Sequence, residues 1–216
     1  MTDLIVTMDG PAGTGKSTVS RLVADRLGIP RLDTGAFYRA AGLAALRAGI
    51  DLDDHSAVAD LVAGLQLDQS EGRMLMDGVD VSEEIRTQIA TEASSRVSIH
   101  PDVRGLLVVY QREWVTRNEN RAVVEGRDIG SVVFPGATVK LYLDARPEVR
   151  AQRRAAQTGE EYDLVLDDLR SRDRRDSTRQ ASPLTVPDGA VLIDTSDMDV
   201  EQVVEKVVGL ALQTRD

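Results

Sequence analysis

The chain contains no cysteine. Disulfides, thiolate zinc sites, iron–sulfur clusters and cysteine nucleophiles are therefore excluded. Histidine is almost absent as well: His55 and His100 are too few for a histidine-rich metal site, and both read as structural or surface residues. No apolar run approaches the ~20 residues needed to span a membrane. Met1-Thr2-Asp3 leads straight into an apolar run with no export signal, so a soluble cytoplasmic protein is expected. Lysine is scarce too. Only Lys16, Lys140 and Lys206 occur beside 23 arginines, so arginine is the default cation and a single Arg says little.

What is present fits one globular domain. The 216 residues are 42 % hydrophobic, enough for a core, and carry a net charge of −10, which argues against non-specific nucleic-acid binding. The charge is uneven. Residues 146–179 hold nine arginines and eight acids, a local balance of +1 against −11 for the rest. An acidic protein with one Arg-dense segment is suited to present that segment to an anion. No long exposed apolar face is evident, so a monomer is expected.

Short apolar, β-branched runs at 4–8, 30–33, 122–125, 139–143 and 190–193 read as buried strands. Between them, helical spacing covers 17–27, 35–48, 54–65, 87–97, 103–117, 147–157, 162–175 and 200–212. Asp53 or Asp54 is placed to cap the third of these helices. Leu107, Tyr110 and Trp114 lie at core spacing. The alternation predicts an α/β fold with a five-stranded parallel sheet and helices on both faces. Residues 73–81 interrupt it as a hairpin on an Asp77-Gly78 turn, a small antiparallel insert. No internal repeat or low-complexity segment is visible.

The strongest motif is Gly10-Pro11-Ala12-Gly13-Thr14-Gly15-Lys16-Ser17, which fits G-x-x-x-x-G-K-[ST] between a strand and a helix. Glycines let backbone N–H groups turn inward on phosphate oxygens, and the helix N-terminus adds partial positive charge. Lys16 can reach the β- and γ-phosphates and the Ser17 hydroxyl can ligate Mg²⁺. The loop therefore predicts a nucleoside triphosphate with Mg²⁺. It does not name the acceptor. No Asn-Lys-x-Asp guanine-reading motif is present. A small-molecule kinase also needs an acceptor site and a cover that keeps water out. The hairpin insert and the Arg-dense helices are candidates for those parts. A kinase for another small acceptor and a non-kinase NTP-dependent switch stay open at this level.

Three further constellations invite function. Leu32-Asp33-Thr34-Gly35-Ala36-Phe37-Tyr38-Arg39 follows the second strand, where Arg39 holds an acceptor phosphate or simply sits on the surface. Val124-Glu125-Gly126-Arg127-Asp128-Ile129-Gly130 ends the third core strand, the edge at which α/β sheets bind ligands. Arg170, Arg172, Asp173, Arg174, Arg175, Asp176 and Arg179 form a mixed-charge run that Ser182-Pro183-Leu184 breaks. Arg150, Arg153 and Arg154 lie one turn apart and either reach ATP or are exposed.

Taken in order, these motifs, with Val81-Ser82-Glu83-Glu84-Ile85-Arg86 and the continuation Ser131-Val132-Val133-Phe134-Pro135, resemble the bacterial cytidylate kinases along essentially the whole chain. The resemblance implies one P-loop kinase domain over 1–216, with a monophosphate-binding insert at about 62–98 and an Arg-bearing helical lid at about 153–180. It implies transfer of a phosphoryl group from ATP to CMP or dCMP, with Mg²⁺ and with no nucleic-acid or membrane partner. Gly10, Ala12, Gly13, Thr14, Gly15, Lys16, Ser17, Thr18 and Arg153 would then hold ATP, with Ser17 on the metal. Arg39, Arg127 and Arg179 would hold the CMP phosphate, while Ser95, Arg104 and Asp128 would read the cytosine edge. Arg172 and Asp176 would meet the ribose, and Thr34 and Tyr38 would line the same pocket. Lys16, Arg127, Arg172 and Arg179 would carry the catalysis.

Overall fold

The protein is described by a computed structural model covering residues 3–70, 72–178 and 183–213. Two compact units emerge, Met1–Arg31 with Glu119–Asp216, and Leu32–Asn118.

The first unit is built on a parallel sheet. β1 (Leu4–Asp9) lies between β6 (Arg121–Glu125) and β7 (Val139–Asp144), in register Met8 with Glu125 and Asp9 with Tyr142. β8 (Val191–Asp194) extends the sheet from β7, and β2 (Arg31–Asp33) completes the order β2-β6-β1-β7-β8. Leu4, Val6 and Met8 are buried, and so are Thr7 and Asp9 between and after them, so β1 is covered on both faces. That explains its near-continuous apolar run. Val19 and Val23 of α1 (Lys16–Leu27) and Val203, Val204 and Val207 of α8 (Val200–Gln213) pack with those strands in one core. α1 stops at Gly28, which takes the left-handed conformation at φ 63°. α6 (Pro147–Thr158) and α7 (Tyr162–Thr178) form a smaller cluster in which Ala151, Val165 and Leu169 pack with Ala12.

The second unit holds α2 (Thr34–Arg47), α3 (His55–Gly64), α4 (Gln88–Val97) and α5 (Pro101–Arg117), with an antiparallel sheet of β3 (Leu67–Ser70), β4 (Arg73–Met76) and β5 (Val79–Asp80). The Asp77-Gly78 turn is as the sequence suggests, with φ of 51° and 77°. Positive φ at both positions is what a tight two-residue hairpin requires. The insert has a third strand beyond that hairpin. β3 reads as Leu-Asp-Gln-Ser, too polar to signal itself, and Trp114 Nε1 donating to Gln69 O at 2.6 Å pins it to α5. α2 and α4 approach closely because residue 42 is glycine; a Cβ there would stand 2.9 Å from the Ala93 backbone. His100 is fully buried before α5 and its ring stacks on that of exposed His55, with centroids 3.8 Å apart.

Candidate active site

In the first unit, β1 delivers the chain into the glycine loop and α1 receives it. Gly10 has φ 141°, and a Cβ on it would lie 2.0 Å from Leu143 O, so no other residue fits. Three of the loop's carbonyls have side-chain donors. Thr14 Oγ1 donates to Pro11 O at 3.2 Å from within the loop, while Arg150 Nη1 donates to Ala12 O at 3.0 Å and Thr195 Oγ1 to Thr14 O at 3.2 Å from outside it. The first N–H groups of α1 have no partner within the helix, which is what an anion site uses. Gly15 forms the N-cap with φ 90° and supplies no side-chain acceptor that would compete with such an anion.

Lys16 is buried at the start of α1 and its Nζ donates to Pro11 O at 2.5 Å. Burial first, then the Arg127 charge, hold its ammonium well below the ordinary lysine range, while Glu125, Asp9 and Asp176 pull the other way. Arg172 is depressed by the same two causes, burial and then Arg127. The Arg127 charge thus lies close enough to weaken both Lys16 and Arg172. An arriving polyanion relieves that repulsion.

The strand-end turn after β6 meets the Arg-dense helix. Arg127 Nε donates to Asp176 Oδ2 of α7 at 2.9 Å and Nη1 to Gly126 O at 3.3 Å. Asp128 is buried, and its carbonyl accepts from Val132 and Val133 in a π-helical turn, Ile129–Val133. One turn back along α7, Asp173 Oδ2 accepts from Arg150 Nη2 at 2.6 Å. Arg150 is therefore neither exposed nor aimed outward: it is 3 % exposed and joins α7 to the loop carbonyl of Ala12. Arg153 donates to Thr195 O at 2.6 Å and Oγ1 at 3.2 Å, and Thr195 in turn supports the loop. Ser17 is exposed and Thr18 partly so on the first turn of α1. Arg179 lies outside the described residues, as do the last two residues of the segment expected to form the lid.

The second unit carries the remaining candidates. Asp33 is the N-cap of α2; its Oδ1 accepts from Ala36 N and its Oδ2 from Arg39 Nη2 at 2.8 Å. Thr34 is the first helical residue and is buried. The Arg104 guanidinium lies over the Tyr38 ring, 5.5 Å from its centroid, a cation–π distance. Arg104 Nη1 also donates to Ser98 O, and Ser98 Oγ donates to Ser95 O, so Ser95, Arg104 and Tyr38 form one neighbourhood. Arg39 is held separately by Asp33.

Two loop supports were missed as such. Arg150 stands out in sequence only as one of three arginines that reach ATP or are exposed, and Thr195 follows a strand 181 positions from the carbonyl it caps. Among the described residues, no group of three or more His, Asp or Glu is gathered as a metal site, and no helix is long and apolar enough to cross a membrane.

Comparison with known proteins bears on the family and the fold. The family model described as cytidylate kinase matches residues 6–213. A cytidylate kinase of Rhodococcus jostii (strain RHA1) is 51 % identical over 214 residues, covering 95 % of this chain and 93 % of that protein. One from Mycobacterium leprae (strain Br4923) is 48 % identical over 218 residues, covering 99 % and 97 %. Among solved structures, TT1252 from Thermus thermophilus superposes with a TM-score of 0.52 at 21 % identity, covering 99 % of this chain and 98 % of that one. A gluconokinase from Sinorhizobium meliloti 1021 gives 0.53 at 16 % identity, covering 98 % and 92 %. These two likenesses concern the fold.

Proposed function

The chain belongs to the cytidylate kinase family, and from that premise we infer how its residues divide the work of transferring the γ-phosphoryl group of ATP to CMP or dCMP, giving ADP and CDP or dCDP. The observation that carries the assignment of roles is the place of Arg127, held by Asp176 of α7 at 2.9 Å and close enough to Lys16 and Arg172 for its charge to weaken both. Phosphoryl transfer between two anions asks for positioning and positive charge more than for acid or base. The acceptor phosphate is already ionised near neutrality, so no general base is assigned.

The loop N–H groups, Gly10, Ala12, Gly13, Thr14, Gly15 and Thr18 cradle the ATP phosphates, with Lys16 on the β- and γ-oxygens. Arg153 serves the nucleotide end through its place beside Thr195. The exposed Ser17 hydroxyl on the first turn of α1 fits Mg²⁺, which commonly takes one or two protein oxygens and fills its shell with phosphates and water. When bound there, Mg²⁺ neutralises charge on the phosphates. Arg39, Arg127 and Arg179 hold the acceptor phosphate, and Arg172 and Asp176 meet the ribose. Ser95, Arg104 and Asp128 read the cytosine edge, with Thr34 and Tyr38 lining the pocket. Residues at about 62–98 make the monophosphate-binding insert and those at about 153–180 a lid that excludes water. The enzyme acts as a cytoplasmic monomer.

The direct test is ADP formation from Mg-ATP with each nucleoside monophosphate in turn. Turnover that depends on CMP or dCMP is expected. Slow hydrolysis indifferent to the acceptor would instead indicate an NTP-driven switch, and turnover with a different acceptor would move the assignment to that compound.

A further inference from the structure

Asp9 ends β1, one residue before the glycine loop, and is fully buried. Its two oxygens take separate donors. Oδ1 accepts the Ile129 N–H and Oδ2 the Gly130 N–H, each at 2.7 Å. Those amides open the π-helical turn that directly follows Arg127 and Asp128. Such turns are rare and recur at functional sites. Within this one, Phe134 N reaches back to Ile129 O at 2.7 Å, leaving the first amides for a partner outside the turn.

A side chain at residue 130 would crowd this contact. A Cβ there would stand 2.9 Å from Thr7 Oγ1, 3.1 Å from Pro187 Cγ and 3.3 Å from Asp9 Oδ2. The contact is also held against a physical cost. Burial pushes the Asp9 carboxyl up to about 6; the two backbone N–H groups and Lys16 oppose that rise, and Asp128 adds to it. An apolar side chain at position 9 would avoid this desolvation. What the carboxylate adds is two charge-assisted bonds aimed at one short segment.

We propose that Asp9 is a positioning residue for the acceptor: its carboxylate clamps the Ile129-Gly130 amides and so fixes Arg127 and Asp128 beside the strand that launches the phosphate loop. The proposal rests on reading Arg127 and Asp128 as acceptor residues. It explains why a charge is buried at this point. Asp9 touches neither nucleotide and acts through the turn.

The experiment compares Asp9→Asn, Gly130→Ala and Asp128→Ala with the unaltered enzyme, measuring kcat and KM for CMP and for ATP separately. Asp9→Asn keeps the shape but points an amide N–H at a backbone N–H, breaking half the clamp; Gly130→Ala disturbs the same contact from the other side. Each of the two should lower kcat/KM for CMP about tenfold or more while KM for ATP stays within about threefold. The Ile129 and Gly130 amide proton resonances should shift in Asp9→Asn. If CMP and ATP parameters fall in parallel, or neither moves, the proposal is overturned. If Asp9→Asn yields no folded protein, Gly130→Ala decides on the same criterion. Should Asp128→Ala leave CMP use untouched while Asp9→Asn impairs it selectively, the clamp stands and the base-reading role of Asp128 falls.

Discussion

Lys16 carries a charge that its surroundings disfavour. Its ammonium is buried and lies near the charge of Arg127, and both weaken it. Lys16→Ala should therefore leave thermal stability unchanged or slightly raised, while kcat falls about 10²–10³-fold, the usual effect of losing a preorganised transition-state charge. Steady-state rates beside a thermal melt check both halves. Asp9 has the opposite sign of titration. Its carboxyl rises from the ordinary 3.8 to about 6, so between those values the folded chain holds a proton that the unfolded chain has lost. Its favourable contribution is present on the acid side and is lost as pH rises through about 6. Relative to Asp9→Asn, the native protein should lose roughly 2–3 kcal/mol of unfolding free energy between about pH 4 and pH 7, measured by urea denaturation. A flat difference across that range would show that the carboxylate is not strained by burial.

At the scale of elements, α7 is tied to the rest of its unit by ion pairs along one face, an exposed one from Arg170 to Glu148 and two deeper ones. Asp173 takes Arg150 and Asp176, three residues on, takes Arg127. Arg150→Met keeps the apolar stem but strands Asp173 and frees the Ala12 carbonyl. Stability should drop by about 3 kcal/mol, as when one partner of a buried pair is removed, and amide exchange in α7 should speed up while β1 stays protected. Unchanged exchange in α7 would mean that Arg150 does not hold the helix. The elements legible in sequence were those whose period was unmixed. β1 and β7 are mostly apolar, and α2 and α8 carry long helical stripes. α5 begins at Pro101, two residues before its apolar pattern, because proline suits a first helical position. β3 and the π-helical turn were not legible. β3 is polar and is fixed by Trp114, and the turn's Ile-Gly-Ser-Val-Val looks like strand residues until Asp9, 120 positions away, takes its amides. The phosphate loop was readable from spacing, but its supports Arg150 and Thr195 come from elsewhere in the chain.

For the whole molecule, a net charge of −10 coexists with cations gathered at one place, so the charge that matters to nucleotides is local. The candidate residues divide between the two units, with the phosphate loop, Arg127, Asp128, Arg172 and Asp176 in one and Thr34, Tyr38, Arg39, Ser95 and Arg104 in the other. What turns that inventory into an enzyme for one base is hydrogen-bond chemistry. Cytosine offers an amine donor and a ring-nitrogen acceptor where uracil reverses both, so a site built for one leaves polar groups unpaired with the other. Sites of that kind discriminate by orders of magnitude. The measurement that tests the account most directly is kcat/KM for CMP and for UMP in the native enzyme and in Asp128→Ala. The native enzyme should prefer CMP strongly, and the variant should narrow that ratio by harming CMP more than UMP. If Asp128→Ala lowers both nucleotides by the same factor, Asp128 does not read the base and the assignment of the acceptor pocket is wrong at its central residue.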